Sequence, residues 1–164
     1  MMSRLVCAAA LAALVPAVAS AQVTYVRAGK LIDPQAGKVL TDQMLRIEGD
    51  RIVSVGPWKG APKEGAKDAK VVDWSGLTVL PGLIDMHTHM VDDEQSENIA
   101  LPLLRTAAQQ AYIGAGHARL TLMAGFTSVR DVGVWRALSD AALRDAINEG
   151  LVPGPRMSVA GAYV

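Results

Sequence analysis

His87 and His89 stand two residues apart in the string Pro81-Gly82-Leu83-Ile84-Asp85-Met86-His87-Thr88-His89. On a strand, side chains alternate faces, so both imidazoles project to one side and Thr88 to the other. Neutral imidazole nitrogen is a good ligand for zinc and its neighbours in the transition series. Two such donors at the end of one strand make half of a metal clamp, although a bare histidine pair of this spacing also occurs in ordinary strands. Asp85 falls on the same face. A carboxylate buried there without a partner would be costly, which calls for a hydrogen-bond donor or a bound cation beside it and makes Asp85 a candidate for orienting a ligand. Asp131 follows Arg130 at the end of another β-branched run, Thr127 to Val132. That pair reads either as a structural ion pair or loop anchor or, through Asp131, as a group that orders the metal histidines or a substrate loop. His117, the remaining histidine, sits beside an apolar helical stripe and reads as a surface or packing residue.

The elements that would carry these residues follow from periodicity. Thr78-Val79-Leu80 and, after a Pro-Gly break, Leu83-Ile84 predict a buried strand that delivers the histidines. The polar run Asp92 to Asn98 reads as a solvated loop, with the alternative that it overlies the metal and touches substrate. A helix is predicted from near Leu103 to Ala124, with Ala108, Ala111, Ala115, Ala118 and Leu122 as its inner stripe and Gly125 as its terminator. Thr127 to Val132 predicts a second buried strand. Leu138, Ala142, Leu143, Ala146 and Ile147 mark a second amphipathic helix with Gly150 past its end, and Arg156 to Ala160 a third strand. Strand-helix-strand-helix-strand is two βαβ crossovers, the unit of a parallel sheet or barrel.

Upstream the pattern is short strands and turns. Val23 to Ala28 and Lys30 to Ile32 are separated by Gly29. Met44 to Glu48 and Arg51 to Val55 flank Gly49-Asp50, a tight hairpin connection. Residues 60–70 read as a surface loop. Val71 to Asp73 and Thr78 to Leu80 add strands around a Ser75-Gly76 turn. Together these predict the N-terminal portion of a small β-sandwich over 22–80. Residues 1–21 have the layout of a secretory leader: Arg4, an apolar run from Leu5 to Val18, and Ala19-Ser20-Ala21 at the cleavage point. The run contains Pro16 and falls below the roughly 18 residues of a spanning helix. A periplasmic or secreted address follows, without a membrane anchor once the leader is cleaved. Cleavage also removes Cys7, the one cysteine of the chain. Sixteen basic and sixteen acidic residues give no basic excess, which argues against nucleic acid as a partner.

Three strings resemble one family in the right order. Pro81 to His89 resembles the first barrel strand of the amidohydrolase superfamily, Gly125 to Gly133 the second, and Gly154-Pro155-Arg156-Met157 the approach to the third. The nearest group is the secreted, imidazolonepropionase-like and Xaa-Pro dipeptidase-like enzymes. The resemblance implies an α/β fold in which residues 81–164 are the first three strands and two helices of a (β/α)8 TIM-type barrel. It implies His87 and His89 as ligands of a divalent metal, zinc in the first instance, with one or two ions in the intact enzyme. The remaining ligands lie on later strands: a lysine or glutamate on the fourth, histidines on the fifth and sixth, and an aspartate on the eighth that also serves as general base. A complete barrel takes eight strands and about 250 residues. The expectation is therefore the N-terminal fragment of a metal-dependent amidohydrolase that cleaves C–N bonds in small-molecule or dipeptide substrates, the fragment itself being inactive and an oligomer being compatible with it. Two alternatives stay open: a secreted non-catalytic domain with a vestigial metal grip, and an imidazolonepropionase-like hydrolase of cyclic amides.

Overall fold

A computed structural model describes residues 22–60, 69–92, 98 and 100–163. The predicted leader at 1–21, most of the predicted surface loop, 61–68, and most of the acidic run, 93–97, lie outside the described residues. The chain divides after Leu80 into two compact units.

The first unit is a sheet of four strands: β1 (Val23–Asp33), β2 (Lys38–Glu48), β3 (Arg51–Pro57) and β4 (Lys70–Val79). Their order is β3-β2-β1-β4, antiparallel except for the parallel β1–β4 pair. Glu48 pairs with Arg51, so Gly49-Asp50 is the tight hairpin connection that the sequence predicts. Register stacks the apolar side chains in rows: Val26 faces Leu45 on one side and Val72 on the other. Val26, Ala28 and Leu45 form the buried centre, with Ile47, Val72 and Val79 packed against them.

Two expectations are corrected here. Gly29 does not separate two strands but lies within the single strand β1. A Cβ on Gly29 would collide with the backbone carbonyl of Ser75, so glycine is what lets β4 pass this close, and the β1–β4 register shifts at that point. For the same reason Ser75-Gly76 is no turn: β4 runs through it to Val79, so Thr78 and Val79 belong to this sheet and not to the histidine strand. The described residues of this unit build one layer, the four-stranded sheet.

The second unit holds a parallel sheet of β5 (Leu83–Thr88), β6 (Phe126–Asp131) and β7 (Arg156–Ser158), in that order. Helices α1 (Leu101–Leu104) and α2 (Ala107–Met123) join β5 to β6, and α3 (Ser139–Asn148) joins β6 to β7. The two predicted crossovers are thus present. The predicted helix from Leu103, however, is broken at Arg105. Thr106 starts a new one, accepting the Gln109 N–H while the Gln109 side chain takes the Thr106 N–H, a reciprocal cap that outcompetes helix continuation.

The buried face of α2 is Gln110, Gly114 and Ala118, whereas Ala108 and Ala111 are exposed. Alanines surround the helix and give little contrast between its faces. Packing decides instead: at Gly114 an added Cβ would sit 2.5 Å from Val91 Cγ1. The core of the unit combines Met90, Val91, Ala118, Val129, Val134, Leu143 and Met157.

Candidate functional site

β5 ends at Thr88, so His87 is its penultimate residue and His89 the first beyond it. Their rings lie on one side, with centroids 5.4 Å apart and planes at 70°. His87 is exposed and His89 half-buried. Both line an open cavity of about 560 Å³ together with Asp85, Asp92, His117 and α2 residues Leu120 and Thr121.

Asp85 is half-buried, and its Oδ1 accepts the backbone N–H of His87 at 3.0 Å. It therefore steadies the strand end that carries the first histidine. Asp131 does the corresponding work for the second. Its side chain is 1% exposed; Oδ2 accepts the Met90 N–H at 2.7 Å and Oδ1 the Gly133 N–H at 3.2 Å. Burial pushes the Asp131 carboxyl up from its ordinary value, more than these two backbone donors pull it down. Arg130 points to the opposite, exposed face of β6, as strand alternation requires, so the structural ion pair with Asp131 does not form.

His117 is half-buried with Nδ1 3.0 Å from the Met90 carbonyl oxygen, where the ring nitrogen donates. It packs as the sequence suggests, but within the cavity that the other two histidines line. Met90 is consequently gripped at both its N–H and its C=O, and the turn after His89 is held from β6 and from α2.

Asp92 departs from the sequence reading. As the first member of an acidic run it is expected in solvent; it is 2% exposed instead. Its Oδ1 accepts from the Gln110 amide at 3.3 Å, and its Oδ2 from the Trp135 N–H at 3.1 Å and the Tyr163 hydroxyl at 3.4 Å. These partners are far away in sequence, and no local signal marks the burial. Tyr163, which no sequence signal singles out, also places its oxygen 3.0 Å from His89 Nδ1.

The donor set suits a borderline divalent cation, and the geometry of His89 suits a ligand. Its Nδ1 lies 2.8 Å from the Gly133 carbonyl oxygen, which can only accept, so Nδ1 carries the proton and Nε2 the lone pair. Among the described residues no group of three His, Cys, Asp or Glu comes close enough to hold an ion. His87 and His89 thus fit such a site as two of its ligands.

Comparison with known proteins gives these features a context. The sequence model of the amidohydrolase family matches residues 78–164, the stretch that contains every residue of this cavity. An imidazolonepropionase of Rhizobium meliloti (strain 1021) is 43% identical over 53 residues, which are 32% of this chain and 13% of that protein. A dihydroorotase of Geotalea daltonii is 37% identical over 86 residues, 51% of this chain and 19% of its own length. Among solved structures, a Xaa-Pro dipeptidase with methionine bound in its active site superposes with a TM-score of 0.72 at 34% identity, covering 86% of this chain and 34% of that one. The chain therefore spans under a fifth of these two curated relatives and about a third of the dipeptidase.

Proposed function

Because this chain belongs to the amidohydrolase family, whose members generally use divalent metals and whose homologues here hydrolyse C–N bonds, we propose that His87 and His89 hold a divalent cation, zinc in the first instance, in a metal-dependent hydrolase of amide or peptide bonds. The observation that carries this reading is the paired presentation of the two rings over one cavity, with the His89 tautomer fixed by the Gly133 carbonyl. When bound, the ion supplies Lewis acidity, polarising a carbonyl and making water nucleophilic at neutral pH. The chain's own part is positional. Asp85 holds the His87 backbone, Asp131 and His117 hold Met90, and the His89 ring is oriented by the Gly133 carbonyl before any ion arrives.

Two histidines are too few for a catalytic site, which takes about three protein ligands and an open position. Turnover is accordingly assigned to the complete protein with further ligands, and the described residues alone are expected to be inactive. For the substrate we favour a small Xaa-Pro dipeptide, since a Xaa-Pro dipeptidase and a prolidase complexed with N-methylphosphonate-L-proline are among the structures similar to this chain, at 34% and 30% identity; the imidazolonepropionase match keeps the cyclic amide as the second reading. The decisive assay is hydrolysis of Met-Pro by the complete, zinc-loaded protein, with and without chelator. Chelator-sensitive release of proline is expected. Turnover of imidazolonepropionate without dipeptide cleavage would select the cyclic-amide reading instead.

A cleavable leader places this chemistry in the periplasm or outside the cell. That inference rests on Arg4, the apolar run and Ala19-Ser20-Ala21. Among the described residues no helix is long and apolar enough to cross a membrane. A mature N-terminus at Gln22 by mass spectrometry is the expected result, and an uncleaved chain in the cytosol would reject it.

A further inference from the structure

The side of the His89 ring that faces away from its lone-pair nitrogen is built from residues that arrive late in the chain. Tyr163 lies against it, ring centroids 5.5 Å apart, with its oxygen 3.0 Å from Nδ1. The same tyrosine packs edge-on against Trp135 at 5.6 Å. Room for it is made at Gly133, where a Cβ would run into the Tyr163 ring and where φ is +155°. The tyrosine thus sits in a fitted position.

Proton bookkeeping gives the contacts a direction. The Gly133 carbonyl fixes the proton on Nδ1, so that N–H cannot also accept, and the Tyr163 oxygen is an acceptor towards His89. The Tyr163 hydroxyl proton is then available for Asp92 Oδ2, 3.4 Å away, and an ionised carboxylate can only accept it. Asp92 is fixed in turn by Trp135 N–H and by Gln110. The single Nδ1–H is thus shared between the Gly133 carbonyl and the Tyr163 oxygen, and the Tyr163 O–H continues one way to Asp92.

We propose that Asp92 and Tyr163 are positioning residues for His89, a carboxylate acting through a tyrosine to hold the imidazole, whose tautomer the Gly133 carbonyl sets, in the orientation that presents Nε2 to a metal. Metal-bound histidines commonly donate their second nitrogen to a carboxylate or carbonyl, which raises ligand basicity. Here the carbonyl is direct and the carboxylate is relayed. The inference rests on the metal reading of His89, but its central readout does not need the metal.

The test uses the complete protein with ¹⁵N-labelled histidine. In the metal-free wild type the His89 ring nitrogens should report the Nδ1–H tautomer. Tyr163→Phe keeps the exposed ring and removes only the hydroxyl; with the Gly133 carbonyl still in place the Nδ1–H tautomer should persist, but the Nδ1 signal should shift as its second acceptor is lost, and zinc affinity should fall about tenfold. Asp92→Asn should do the same, and the double variant should bind zinc no more weakly than the worse single one, because both act through one chain. A wild-type His89 protonated on Nε2 would overturn the proposal, as would Tyr163→Phe signals that do not move, whether or not affinity falls, since a fall alone marks mere packing. If His89→Ala leaves zinc affinity intact, the metal reading fails, and the ring-nitrogen signals of Tyr163→Phe still decide the relay.

Discussion

The two units bury different kinds of side chain. In the four-stranded sheet the interior is Tyr25, Val26, Ala28 and Leu45, with Gln43 as its one buried polar side chain among the described residues. In the parallel unit Asp92, Asp131 and Asp140 are all within 2% of complete burial, alongside Gln110. Each acid accepts backbone N–H groups from a segment that follows a strand: Met90 after β5, Gly133 and Trp135 after β6, Gly161 after β7. Burying a carboxylate is costly unless donors surround it, so a fold that needs only stability fills such positions with apolar groups. The first unit does that. The second places its acids where the ends of the parallel strands must be held in register to present side chains.

The largest effect that this contrast predicts is on chemistry rather than stability. His87→Ala or His89→Ala should lower turnover and metal content of the complete protein by more than about a hundredfold, given that loss of an outer-shell partner alone costs 10–100-fold. Circular dichroism should not change, because His87 is exposed and neither ring belongs to the packed core. Full metal content and turnover in His87→Ala would erase the functional half of the contrast.

Next is the structural role of a buried acid. Asp140 accepts the Ala141 N–H at 2.7 Å and the Gly161 N–H at 2.8 Å and has no exposed surface. Asp140→Ala leaves two donors without that acceptor in a desolvated place, at about 2–4 kcal/mol of stability. Chemical denaturation checks this. A loss below about 1 kcal/mol would mean that water or a rearranged loop replaces the carboxylate and that these acids matter less than their burial implies.

How far the sequence reached follows the same division. The histidine pair was legible because a strand has a two-residue period, so spacing alone puts both rings on one side. The βαβαβ order was legible from alternating periodicity and terminal glycines. Asp92 was not: its burial is decided by Trp135 and Tyr163, 43 and 71 residues away, while its sequence neighbours are acidic. The α2 face was misread by one position, Ala111 and Ala115 for Gln110 and Gly114, since alanine is too small to mark a side and the deciding contact is with Val91. In the sheet unit the strand run through Ser75-Gly76 was missed because those residue types usually signal a turn, and only the close pass at Gly29 shows why they stay extended.

A pH dependence sharpens the contrast further. Burial raises the native pKa of Asp131 above that of the unfolded chain, so the folded state holds the proton more tightly. The stabilisation linked to this group is fully present below the unfolded value of about 3.9 and is lost as pH rises through the native value. Denaturant midpoints of wild type and Asp131→Asn, compared across that window, should differ less in favour of wild type as pH increases. A difference that grows with pH would mean that the backbone donors outweigh burial, and that Asp131 is held as a carboxylate in the way an exposed acid would be.

The smallest effect is expected in the first unit, where charges pair on the surface. Arg27 Nε donates to Asp42 Oδ1 at 2.7 Å with both side chains substantially exposed, and its guanidinium lies 5.6 Å from the Trp58 ring. Exposed pairs are worth little, because water screens the attraction and two long side chains must be ordered to make it. The substitution that isolates the charge is Asp42→Asn. Asp42 has φ +48°, in the left-handed region that asparagine tolerates well and alanine does not, so Asp42→Ala would mix backbone strain with loss of the pair. Asp42→Asn should leave the thermal midpoint indistinguishable from wild type, and about 1 M salt should do the same to the wild-type protein, since screening at that strength acts within about 3 Å. A clear drop in midpoint that salt reproduces would show that the sheet unit, too, depends on a polar contact, and the division between an apolar scaffold and a polar functional unit would no longer hold.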